Sequence, residues 1–113
     1  MGTLRTEATE ARYQADIKAG RTQPLSEVKS LVEWKHWRLI PNKYPHDLTC
    51  IEHDLLVPKR IFSEPMKMEL DEQTELLYIL FSDLKNQYDT IKINYPRQQS
   101  VLNHWHVHLV RNK

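Results

Sequence analysis

Residues 104–110 read His-Trp-His-Val-His-Leu-Val, a strict alternation of histidine with apolar side chains that closes on an apolar pair. Extended backbone sends successive side chains to opposite faces. As a strand, the stretch puts His104, His106 and His108 on one face and Trp105, Val107 and Leu109 on the other. The apolar row seeks a core. The histidine row does not, because every imidazole carries donor and acceptor positions that need partners. That face is where chemistry is expected.

The remainder of the chain is read for what it brings to this row. Residues 4–19 predict a helix, with Leu4, Ala8, Ala11 and Ala15 at helical spacing, Glu7 and Glu10 early, and Gly20 as the stop. Its mostly alanine face has a weak drive for burial, so it is expected as an arm packed loosely on the domain or on a second subunit. Aromatic and branched residues over 34–40 predict a strand ended by Pro41, and a turn-rich connection follows. Residues 48–51 and 53–57 predict two short extended pieces joined at Glu52, with Pro58 closing the second. Residues 71–88 predict one long helix capped by Asp71, its stripe supplied by Leu77, Leu80, Phe81, Leu84 and Tyr88. Ile91 and Ile93 predict a further strand before the histidine row.

This pattern is α+β: a small antiparallel sheet of about five strands, one long helix packed on it, and an N-terminal helix. The organisation expected is a helical arm over residues 1–29 and one domain over residues 30–113, in line with 113 residues in all. The apolar row would face the long helix, leaving the histidines to face out into a groove. Trp34, Trp37 and Trp105 are expected as core or interface anchors, with base stacking an alternative for the first two. His36 and His46 read as loop or surface histidines, and Lys59 and Arg60 as a solvated strand end.

Net charge is +1, which argues against a general binder of nucleic-acid polymers or of membrane surfaces. No apolar run approaches a membrane span, and the start carries no apolar leader stretch. Cys50 is a lone cysteine, so neither a disulfide framework nor a cysteine zinc site is expected, and a cytoplasmic setting is the default.

Three readings of the histidine row compete. Histidines two apart on a strand can bind a metal such as zinc, leaning on carboxylates behind them. A neutral imidazole can attack phosphorus while its neighbours fix its tautomer and donate to phosphate oxygens. The row can also be a polar face without chemistry. After Asp89 the chain has no acidic residue, whereas Lys92, Arg97, Arg111 and Lys113 are basic, which suits an anion better than a dication. The hydroxyl- and amide-bearing approach from Asn94 to Ser100 fits the same need.

These residues resemble the histidine-triad family of nucleotide hydrolases and transferases, whose signature is His-φ-His-φ-His-φ-φ. Three further blocks agree in order: Trp37 to Asn42 with Pro45, His53-Asp54-Leu55-Leu56-Val57-Pro58-Lys59, and Gln99-Ser100-Val101 after the Asn94 region. The resemblance implies that His106 attacks the α-phosphate of a nucleotide ester, amide or anhydride to give a nucleotidyl-histidine, which water or another acceptor resolves. It implies that His104 and His108 bond phosphate oxygens and hold the tautomer of His106, and that His53 supports them. Gln99 and Ser100 would contact the phosphate or the departing group, and Asn42 the ribose. It further implies no metal or other cofactor in the chemical step, a nucleotide-type small-molecule substrate, and a homodimer. The alternatives are a nucleotide-binding module with weak turnover, then a metal-dependent hydrolase built on the row. The chain departs from the pattern in two ways. Glu52 and Gln98 stand where relatives carry glycine, and one extra residue separates Ser100 from His104, which calls for a bulge or a polar role for Asn103.

Overall fold

The row Ile40, Leu55, His108, Lys92 runs across four strands in register and defines one face of a sheet. The next row, Leu39, Leu56, Val107, defines the other. The computed structural model describes residues 4–95 and 103–113. Its elements are α1 (Glu7–Ala19), β1 (Val32–Glu33), β2 (Trp37–Pro41), β3 (Cys50–Pro58), α2 (Leu70–Tyr78), β4 (Thr90–Lys92) and β5 (Val107–Asn112). The strands form one antiparallel sheet in the order β1-β2-β3-β5-β4, so the fold class is α+β with five strands and two helices. α2 carries the chain from central β3 to edge strand β4, and β5 returns to fill the gap between them.

The two faces differ in what covers them. On one, Trp37, Leu39, Leu56, Trp105, Val107 and Leu109 pack against Leu76, Ile79, Leu80 and Leu84 from the α2 region. Trp37 and Ile79 are wholly buried, and the Trp37 indole N–H donates to the Glu72 carbonyl at 2.9 Å. Trp37 and Trp105 are thus core, as expected, Trp34 packs partly buried against the same cluster, and this cluster lies across the sheet from His106 and His108. The opposite face has only a small apolar cluster of Ile40, Leu55 and Val57, flanked by Leu25 and Val28.

Several elements depart from the sequence expectation for physical reasons. The helix expected over residues 71–88 is α-helical only over Leu70–Tyr78, and a π turn over Ile79–Asp83 continues it. The Leu84 N–H reaches back five residues to the Ile79 carbonyl at 2.9 Å. Ile79, Leu80 and Leu84 all face the core, and the wider turn brings Ile79 and Leu84, five residues apart, closer to one line along the helix. Tyr88 lies past the helix, where its hydroxyl donates to the Asp54 carboxylate. The N-cap is Glu69, not Asp71: the Glu69 N–H donates to the Glu72 carboxylate at 2.7 Å. Glu72 also holds Arg60 at 2.6 Å, so Arg60 ends in an ion pair with a buried carboxylate and is not merely solvated.

The two pieces expected around Glu52 are one nine-residue strand, β3, with a register shift between Cys50 and Glu52. Such a bulge adds one residue on one side of a ladder, and it explains why alternation broke there. β5 begins at Val107, so His104, Trp105 and His106 lead into the strand instead of lying within it. The reason is local: the Trp105 N–H donates to the Phe62 carbonyl at 2.7 Å, which ties this segment to the crossing after β3.

α1 inverts its expected face. Ala8, Ala11 and Ala15 are exposed, whereas Thr9 and Asp16 are buried. The helix docks by polar bonds on the loop between β2 and β3. The Asp47 carboxylate accepts from the Thr6 N–H at 2.8 Å and from the Thr9 hydroxyl at 2.6 Å. The Tyr44 hydroxyl donates to Asp16 at 2.6 Å, and Tyr13 packs on Tyr44 with ring centroids 4.7 Å apart. Thr6 caps the helix start, and Gly20, at φ 67°, ends it in the left-handed region that glycine tolerates. Among the described residues no helix is long and apolar enough to cross a membrane.

Candidate active site

The docked arm and the histidine face of the sheet enclose a cavity of about 1120 Å³. One wall is β5 with β4 beside it: His106, His108, Lys92 and Asn94. The other is the arm and the β2–β3 loop: Leu4, Arg5, Tyr13, Ile17, Leu25, Asn42, Tyr44 and His46 among others. No aspartate or glutamate lines it, whereas Arg5, Lys43 and Lys92 do. The histidines therefore do not face out into an open groove. His53, His104, His106 and His108 are all buried, and the arm stands across the cavity from His106 and His108.

Hydrogen bonds fix the proton on each ring. The His46 N–H donates to Nδ1 of His53 at 3.0 Å, so neutral His53 carries its proton on Nε2. That proton is donated to Nδ1 of His108 at 2.7 Å, which leaves the proton of His108 on its own Nε2. Nδ1 of His106 lies 2.9 Å from the carbonyl of His104 and can only donate to it. The lone pair of His106 is thereby placed on Nε2, with no partner among the described residues. No buried side-chain nitrogen or oxygen there lacks a partner, so this Nε2 is reached by solvent. The site thus presents a nucleophilic nitrogen on His106 beside an N–H donor on His108, with ring centroids 4.9 Å apart.

Electrostatics keep the rings neutral. Burial, followed by the charges of neighbours, pushes His108 and His53 down to about 3 and His46 down to about 4. Burial lowers His106 and His104 as well, each partly opposed by its carbonyl acceptor. At neutral pH all five are uncharged, the form in which an imidazole is a nucleophile. Among the described residues no group of three His, Cys, Asp or Glu side chains is placed to hold one metal ion. Nδ1 of His53, His106 and His108 and Nε2 of His53 are engaged in hydrogen bonds within the protein.

The expected site residues divide as follows. His106, His108, Asn42 and Asn94 line the cavity, and His53 stands directly behind His108. Asn42 is partly used by the loop, since its Oδ1 accepts from the Tyr44 N–H at 3.0 Å and its Nδ2 approaches Nδ1 of His53 at 3.3 Å. The ring of His104 does not line the cavity; its Nε2 donates to the Pro58 carbonyl at 3.0 Å, and it is the backbone carbonyl of His104 that orients His106. Gln99, Ser100 and the expected bulge before His104 lie outside the described residues.

Several cavity residues were not named as site residues, among them Arg5, Lys43, His46 and Lys92, the last read only as part of the basic flank. His46, read as a loop histidine, lines the cavity and stacks near His108 with centroids 6.1 Å apart. Its turn-rich surroundings masked it. Lys92 sits between two isoleucines read only as a strand signal, yet parity alone puts it opposite to them, on the histidine face. Comparison with protein-family models, curated proteins and solved structures found no match.

Proposed function

We propose that this chain is a histidine-triad-like enzyme that cleaves a nucleotide at its α-phosphate through a covalent nucleotidyl-histidine. The observation that carries the reading is the fixed tautomer of His106, whose Nε2 lone pair is open while Nδ1–H is held by the His104 carbonyl. Nε2 attacks the α-phosphorus, a phosphorus–nitrogen bond forms, and the bond to the leaving group breaks. The imidazole becomes cationic, and the His104 carbonyl stabilises the charge through Nδ1–H. His108 donates Nε2–H to a phosphate oxygen, in the tautomer set by His53 and the His46 backbone. Such donors help when they bind the charge that develops in the transition state better than the ground state. Water or another acceptor then resolves the adduct, so the enzyme is a hydrolase or a nucleotidyltransferase.

The surroundings support a nucleotide. The cavity is cationic and free of carboxylates, it has apolar walls from Leu4, Ile17, Leu25 and Leu55, and it offers Asn42 to a ribose. Its volume is that of sites that enclose small ligands. The same reading carries a homodimer, a cytoplasmic setting and a chemical step that needs no cofactor. Adenosine 5′-phosphoramidate and diadenosine triphosphate, each with excess chelator, test it. The wild type is expected to release AMP from one or both, and His106→Ala to lower kcat by at least about a thousandfold, as loss of a covalent nucleophile does. Full activity in His106→Ala contradicts the mechanism, and nucleotide affinity without turnover would make the chain a binding module.

A further inference from the structure

Lys92 is a half-buried cation on the cavity wall. It is the register partner of His108 on edge strand β4, so both side chains rise from the same face into the cavity. Among the described residues no carboxylate lies within ion-pair distance of it. The chain has no acidic residue after Asp89, so the segment after β4 cannot bring one either. A cation held among neutral rings in a partly desolvated cavity favours an anionic ligand.

The cavity is also two-ended. Leu4, Ile17, Leu25 and Asn42, with the cations Arg5 and Lys43, belong to the arm and the β2 end, Lys92 belongs to edge strand β4, and Leu55 of β3 with His108 of β5 lies between them. A nucleotide bound with its nucleoside at the β2 side and its α-phosphorus over His106 projects its leaving group toward Lys92. Proton supply points the same way. No carboxylic acid lines the cavity, and burial keeps His46, His53 and His108 uncharged at neutral pH. A neutral imidazole donates a hydrogen bond but does not give up its proton. An amine leaves only once it has gained a proton, which here must come from solvent or at the expense of the Lys92 charge, whereas a phosphate departs as an anion and is matched by that charge as it stands.

We propose that Lys92 is the specificity-determining residue of this site, and that it selects nucleotide anhydrides, whose leaving group is itself a phosphate. The inference rests on the reading of His106 as the nucleophile at the α-phosphate. In the step, Nε2 of His106 bonds to the α-phosphorus and the bridging phosphorus–oxygen bond breaks. Its electron pair stays on the bridging oxygen, and the second phosphate leaves as an anion against the Lys92 ammonium. Water then attacks the α-phosphorus, the phosphorus–nitrogen bond breaks with its pair returning to Nε2, and the proton of the water passes to solvent.

The test is the ratio of kcat/KM for diadenosine triphosphate to that for adenosine 5′-phosphoramidate, measured by AMP release with the 113-residue chain. The wild type favours the anhydride. Lys92→Met lowers the ratio by about ten- to a hundredfold, the size of a lost charge-assisted hydrogen bond. Lys92→Arg, which keeps the charge, holds it within about threefold of wild type. A ratio unmoved by Lys92→Met, or a wild type that prefers the phosphoramidate, overturns the proposal while His106-dependent turnover still supports the nucleophile. If the wild type turns over neither compound, both readings fall together.

Discussion

A single backbone contact decides what His106 is able to do. With Nδ1–H held by the His104 carbonyl, the reactive lone pair is on Nε2 before any substrate arrives. Because burial lowers the protonation of this ring below the ordinary histidine range, it stays neutral into mild acid, the form that the proposed nucleophile needs. The acid limb of kcat/KM against pH is therefore expected below about 6.5, the ordinary histidine value. A limb at or above that value would show that the ring titrates unperturbed. His53 and His108 have a matching effect on stability. Their folded values of about 3 lie below the unfolded value of 6.5, so between these limits the unfolded chain binds more protons than the folded one. Stability is then fully present above about pH 6.5 and falls as the pH drops through that window, by up to about 1.4 kcal/mol per pH unit for each ring. Urea unfolding at pH 7 and pH 5 measures the loss, and His53→Asn is expected to shrink it. At this scale the sequence was legible wherever alternation held. It marked His106 and His108, and the same parity would have marked Lys92. It could not mark His46, whose place depends on how the β2–β3 loop folds back beside His53 and not on any local pattern.

Among the elements, α1 is the one whose role differed most from its pattern. The alanine spacing suggested an apolar contact, yet the helix docks through Thr9, Tyr13 and Asp16, and its alanines face solvent. A helix with no apolar stripe gives no sign of its docking face, because the hydrogen bonds it donates to Asp47 and accepts from Tyr44 arise only once the loop is folded. Hydrogen bonds from Thr9 and from the Thr6 backbone hold the Asp47 carboxyl down at about 2. A lowered carboxylate value means that this docking contribution is present above the unfolded value of 3.8 and is lost as pH falls toward 2. Asp47→Ala is expected to release α1 from the cavity mouth, with faster amide exchange across Glu7–Ala19 and a several-fold rise in KM. Unchanged exchange in that helix would show that it is held by other contacts. α2 was legible as a helix but not in its length, since an apolar stripe at helical spacing does not reveal where the hydrogen bonding switches to a π turn. The break in β3 was legible at Glu52, and the structure turns it into a bulge within one strand.

For the whole molecule, one sheet separates two environments. The α2 side carries most of the buried apolar side chains and with them most of the hydrophobic stabilisation, while the arm side is left free for a polar, cationic cavity. Truncations should therefore separate by face. Ile79→Ala removes a wholly buried side chain on the α2 side and is expected to cost about 2–5 kcal/mol in unfolding free energy. Leu25→Ala, on the arm side and only partly buried, should cost well below that while raising KM. Equal losses from the two would contradict a core placed on the α2 side. The fold class followed from the order of strand and helix patterns, because each element's periodicity reports its own buried face. The cavity did not follow, because it is made by two segments far apart in sequence, the arm and the histidine row. The central claim is that His106 becomes covalently nucleotidylated. Rapid quench of the enzyme with diadenosine triphosphate, followed by mass spectrometry of the tryptic peptide 98–111, tests it directly. The account predicts an adenylyl group that fragmentation places on His106 and that forms and decays at rates compatible with turnover. Turnover with no adduct, or an adduct carried by another residue, would contradict it.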